Sequence, residues 1–162
     1  MGLFTTASNT WAVGNKITAA LLNAQLRNFI DGFGAKTAYT PTLAGFTLGN
    51  GTISGSYTQI NKTVWFEATF VFGTTSAAAS AVPTMTLPVT AASSAVNNAL
   101  MRAQFVDSGT AAYLAAGRLL TTTTAAAYII GTSGILTTPS TTTPHTWATG
   151  DGIYIAGVYE AA

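Results

Sequence analysis

At 162 residues the chain is about one domain long, and 48% of it is hydrophobic but only 7% charged, against a usual charged share of about 25%. Six Lys plus Arg against five Asp plus Glu leave a net charge of +1, so there is no basic field for nucleic acid and no polybasic patch for anionic lipid, and neither nucleic acid nor membrane is an expected partner. The absence of Cys removes disulfides, zinc–thiolate sites and thiol nucleophiles, and the mean hydropathy of +0.38 comes without an apolar run of about 18 residues that could cross a bilayer.

Residues 1–10 carry no Lys or Arg and no apolar h-region, so no secretory signal is expected there. From Thr18 onward, Ala19, Leu22, Leu26, Phe29 and Phe33 fall at spacings of three and four, which puts them on one helical face. Thr18 is the predicted N-cap, and Gly32 and Gly34 supply the stop. A helix of about 15 residues is marginal in water alone. Its stripe is therefore expected to pack on its own domain, on copies of itself or on a larger assembly.

Near residue 36 the pattern changes to two-residue alternation, which divides the chain into an attachment segment (1–36) and a β-domain (37–162). Asn50-Gly51 between two apolar segments predicts a hairpin with a type I′ turn. A second hairpin at Ile60-Asn61-Lys62-Thr63 leads into the clearest strand, 62–72. There Val64, Phe66, Ala68, Phe70 and Phe72 share one face, while Thr63, Trp65, Glu67 and Thr69 share the other. Further strands are predicted around 84–89, 99–106, 112–120, 125–130 and 153–159. Thr-rich, Gly-broken segments at roughly ten-residue spacing indicate an antiparallel β-sandwich or open barrel, preceded by the one short N-terminal α-helix.

Trp11, Gly14, Ile17, Thr18, Ala19, Ala20, Leu22 and Asn23, followed by Leu26-Arg27-Asn28, resemble the W-x-x-G-x-x-[VI]-T-A-A-x-L-N opening found near the start of structural proteins of tailed bacteriophages. The stretch from Tyr39-Thr40-Pro41 through Gly51 and Tyr57 to Val64 is similar to the start of a β-module of minor tail and fibre proteins from phages of actinobacteria. The resemblance implies a virion component on the exterior of the particle, a homo-oligomer with a trimer favoured. It also implies contacts with other virion proteins through the N-terminal segment. Tail and capsid positions, the latter as a decoration or head-fibre protein, both fit, and host-surface glycan is the alternative partner.

The chain thus has two expected contact surfaces. Trp11, Leu22, Leu26, Phe29 and Phe33 are the expected self-association or attachment residues. Trp65 and Glu67, opposite the Phe-rich face, mark a second contact face, because a large aromatic on an outward face asks for a partner. Tyr57, on the face of Ile53, is expected in the core. For chemistry the chain offers little. His145, its single histidine, sits in Thr-Pro-His-Thr-Trp147 with no G-x-S-x-G elbow to serve and is expected as a loop residue. Asp31, Glu67, Asp107, Asp151 and Glu160 are scattered without metal-ligand spacing. No catalytic residue, metal or other cofactor is expected. The strongest enzymatic alternative is a glycan depolymerase pairing Glu67 with a carboxylate such as Asp107.

Overall fold

The structure, a computed structural model, describes residues 35–162 together with Gly14, Lys16, residues 18–20, Leu22 and Asn23. The predicted N-terminal α-helix is not seen as an element: the one complete helical element among the described residues is a 3-10 turn at Ser93–Ala95. Ala19, Ala20, Leu22 and Asn23 have helical backbone, and the Leu22 N–H donates to the Thr18 carbonyl at 3.0 Å. All of these residues are exposed. Trp11, Leu26, Phe29 and Phe33 lie outside the described residues.

From Thr37 to Glu160 the chain is mainly β. The strands are β1 (Thr37–Tyr39), β2 (Leu43–Ala44), β3 (Thr52–Ile60), β4 (Thr63–Val71), β5 (Thr84–Thr86), β6 (Leu100–Asp107), β7 (Ala111–Leu119), β8 (Thr124–Ile130), β9 (Leu136–Thr137) and β10 (Gly152–Glu160). They form one antiparallel sheet in the order β1-β3-β4-β10-β6-β7-β8-β5-β2, with β9 also paired to β8. Nine strands laid flat at about 4.8 Å spacing would set β1 and β2 about 38 Å apart. Only three residues separate Tyr39 from Leu43, a reach of at most about 14 Å. The sheet therefore has to curl.

Curling turns one face inward, and alternation chooses which. Val64, Phe66, Ala68, Phe70 and Phe72 are all at most 5% exposed, as the pattern of that strand predicts. They share a core with Phe105, Leu119, Ile153, Ile155 and Met85 and with the small inner residues Ala115, Ala125 and Ala127. Large rings on β4 facing alanines on β7 and β8 keep a strongly curved sheet filled without overpacking. Tyr57 also packs against this core, edge-on to Tyr39 at 6.0 Å between centroids. The ring of Tyr39 fits because its strand partner is Gly55, where a Cβ would run into it.

Of the two predicted hairpins, one forms and one does not. β3 and β4 are joined as predicted, with Ile60 opposite Thr63 and Asn61 in the left-handed region at φ 53°, a conformation Asn tolerates. The Asn50-Gly51 hairpin is not formed. Here Gly49 takes the positive φ, 55°, and Thr47 bridges Ala77 instead of pairing with β3. The Asn50 side chain is committed elsewhere: its Oδ1 accepts from the Thr75 N–H at 2.8 Å and its Nδ2 donates to Thr74 Oγ1 at 2.9 Å. A dipeptide that serves a type I′ turn serves equally as a clamp between two loops.

One end of the core is closed by a tyrosine. The Tyr159 hydroxyl donates to the Val89 carbonyl at 2.7 Å and accepts from the Val89 N–H at 3.2 Å, pinning the segment after β5 to β10. Burial pushes this phenol up to about 12, against the Val89 hydrogen bonds, and burial also raises Tyr39 well above the usual tyrosine value. Both phenols hold their protons more tightly folded than unfolded, so their contribution is complete below about pH 10 and is lost as pH climbs toward 12. Chemical denaturation across pH 8–12 should show stability falling above about pH 10. Tyr159→Phe should lower it by about 1–2 kcal/mol at neutral pH, because both Val89 groups lose their partner.

Candidate interaction face

The same alternation that fills the core aims a second set of residues outward. Strand register arranges them in rows. Glu67 on β4 and Arg102 on β6 both lie opposite Ala156 of β10. In the next row Trp65 lies opposite Val158, and Leu100 stands two residues beyond Arg102 on β6. On the other side Tyr154 lies opposite Thr69 and Gln104, and Gln104 opposite Leu114. Trp65 is 44% exposed, Val158 46%, Leu100 75%, Leu114 73% and Tyr154 38%. Large apolar side chains on adjacent rows of one face make a patch on the order of several hundred Å², the size that marks an interaction site.

Trp65 and Glu67, singled out from the sequence, thus stand side by side on this face. Glu67 Oε1 accepts from Lys36 Nζ at 2.8 Å and from the Ser56 hydroxyl at 2.7 Å. Those two bonds, with the charges of Lys36 and Arg102, hold its carboxyl below the usual glutamate value. Lys36, Ser56, Thr58, Trp65 and Glu67 border an open pocket of about 110 Å³. Chain entry is fixed here as well, since the Thr58 hydroxyl donates to the Ala35 carbonyl at 3.1 Å. Leu100, Arg102, Tyr154, Leu114 and Val158 were not singled out, although each alternates with a residue of the predicted core strands and its outward direction could have been read from that.

Behind one edge of the face sits the chain's buried polar cluster. Asp151, 1% exposed, immediately precedes β10. Its Oδ1 accepts from the Ser108 N–H at 2.9 Å in the β6–β7 turn, and its Oδ2 accepts from the Ala148 N–H at 2.6 Å and lies 3.1 Å from His145 Nε2. Its backbone adds a bond from the Phe72 N–H to its carbonyl at 2.8 Å. A carboxylate taking this many donors satisfies the charge it buries. It ties the end of β4, the β6–β7 turn and the start of β10 together.

His145 lies in a loop, as expected, and is buried there. Its ring stacks on Tyr113 at 5.3 Å and leans on Trp147 at 4.3 Å. Trp147 in turn meets Phe46, Phe72 and Phe105 and donates its indole N–H to the Ser140 carbonyl at 2.9 Å. The pairing of His145 with Asp151 escaped the sequence because the five residues of turn-forming chain between these two side chains carry no periodic signal. Asp107 and Glu67 lie on β6 and β4, separated in the sheet by β10 and by several residues of register. Among the described residues no group of three His, Cys, Asp or Glu gathers to hold a metal.

No family model, curated protein or solved structure matches the chain.

The two acids should differ sharply in what their removal costs. Asp151→Ala leaves two N–H donors and His145 buried without an acceptor and should cost about 3 kcal/mol or more in urea unfolding. Glu67→Gln, at an exposed ion pair, should cost less than about 1 kcal/mol.

Proposed function

We propose that this chain is a non-enzymatic structural protein of a tailed-bacteriophage virion, a homo-oligomer with three copies favoured, held to other virion proteins through residues 1–36 and displayed on the particle exterior by the β-domain. The curled sheet with its two end strands tied is taken as an open barrel rather than a sandwich of two separate sheets. The observation that carries the proposal is the broad apolar outer face on a chain of 7% charge, combined with the W-x-x-G-x-x-[VI]-T-A-A-x-L-N segment that precedes it. A free monomer of this size would ordinarily keep about 25–35% of its surface charged. The polar groups support a structural role too. Glu67 is held ionised by Lys36 and Ser56, which ill suits a general acid, and His145 is spent on Asp151 beneath two aromatic rings. Minor-tail and capsid-decoration positions both agree with this proposal.

Labelled antibody against the β-domain should decorate intact particles in electron micrographs. A fusion of residues 1–36 to an unrelated soluble domain should attach to particles lacking the protein, more weakly than the full chain, because a small contact gains residence time from multivalent display. Attachment by the β-domain alone, at full strength, would move the anchor to the sheet.

A second reading is host-glycan recognition, favoured by the pocket beside Trp65. An indole face with carboxylate, hydroxyl and ammonium groups around it is the chemistry that stacks on and hydrogen-bonds a sugar ring. On this reading a glycan array probed with the full chain should show selective binding that Trp65→Ala abolishes, whereas a purely structural protein should bind no sugar selectively.

A further inference from the structure

The outer face carries complementary chemistry on its two flanks, at matching heights. With β10 as the midline, Ala156 is flanked by Glu67 on one side and Arg102 on the other, both in register with it. One row along, Val158 is flanked by Trp65, and on the β6 side, where the ladder ends at Ala156–Arg102, continuing the same register by two residues leads to Leu100. One flank therefore offers an acid and an aromatic ring, and the opposite flank offers, level with them, a base and an aliphatic side chain.

We infer that copies of this chain associate through this face around an axis that runs parallel to β10 and stands directly in front of it. Rotation about such an axis brings the β4 flank of one copy against the β6 flank of the next. Glu67 then meets Arg102 of the next copy, Trp65 packs on Leu100 of the next copy, and Val158 and Tyr154 line the axis. Because the complementary groups lie at equal heights along β10, the operation needs no rise. Contacts of this head-to-tail kind close into a ring when there is no rise and grow into a filament when there is. Charge complementarity identifies the occupant of the face as another copy: the acid and the base that match each other are on the same chain. The existing Lys36–Glu67 pair does not compete, since both side chains are more than half exposed and Glu67 has a second carboxylate oxygen free to accept. Sheet twist would weaken the match away from the central rows, which is where the charged and apolar residues are concentrated.

This inference deepens the self-association part of the proposed function and can fail separately from it. The full chain at tens of micromolar should give a single closed species by light scattering. Val158→Arg, which gathers like charges on the axis, should give monomer with an unchanged circular dichroism spectrum. Glu67→Arg and Arg102→Glu should each raise the concentration for half-assembly by at least about tenfold, and the double variant Glu67→Arg/Arg102→Glu should return it toward wild type. A monomeric wild-type chain, an open polymer, a Val158→Arg variant of unchanged mass, or a double variant without recovery would each overturn the inference. If Leu26→Asp alone yields monomer while Val158→Arg does not, self-association belongs to the N-terminal segment, and the virion proposal stands without the ring.

Discussion

The three residues between Tyr39 and Leu43 constrain everything else in this fold. They tether the first and last strands of a nine-strand path, and a flat sheet cannot meet that tether. Once the sheet curls, its two faces become inequivalent. The concave side must be filled by side chains from every strand at once, which is why the phenylalanines of β4 share a core with the alanines of β7 and β8. Among the described residues the convex side has no second layer, and its outward residues are exposed. The outward rows around β10 are thus a direct product of the closure, and their apolar composition is the part that closure does not dictate.

The fold uses its few polar groups at the ends of the strands, where alternation gives no help. Asp151 gathers donors from two neighbouring segments at one end, and Tyr159 clasps Val89 at the other. Between them the sheet is held mainly by ladder hydrogen bonds and apolar packing, with the Ser56–Glu67 and Lys36–Glu67 contacts on its outer face. A chain with so little charge can bury one carboxylate only by surrounding it with donors, and the backbone N–H groups of turns are the donors least committed elsewhere.

The long strands were legible in the sequence because burial on one face imposes a period of two. β3, β4, β6, β7, β8 and β10 all coincide with predicted segments, and the outward direction of Trp65 and Glu67 followed from the same count. β1, β2 and β9 are two or three residues long, too short to show a period. The misplaced hairpin at Asn50-Gly51 has a different cause: turn residues state what the backbone can do, whereas pairing of the flanks is decided by distant loops such as residues 73–76. His145 and Asp151 were each visible but not as partners, since only the folded chain brings the turn before β10 over Tyr113. The face as a whole became legible only through register, which sets Glu67, Ala156 and Arg102 in one row although they come from three separate regions of the sequence.

The position of β10 has a consequence for how the molecule comes to exist. It is the last of the ten strands in the chain, yet it lies in the middle of the sheet, between β4 and β6. Until it arrives, no strand pairs β4 with β6, and each of these strands presents an open edge. Both halves can form early as hairpins of neighbouring strands, but the core they share is sealed by a single late insertion whose contacts all span long stretches of chain. Such a topology folds slowly and leaves sticky edges exposed while it waits. A chain emerging from a ribosome would carry two half-sheets that cannot close until β10 is free to enter, which ties the timing of any assembly to the release of that strand.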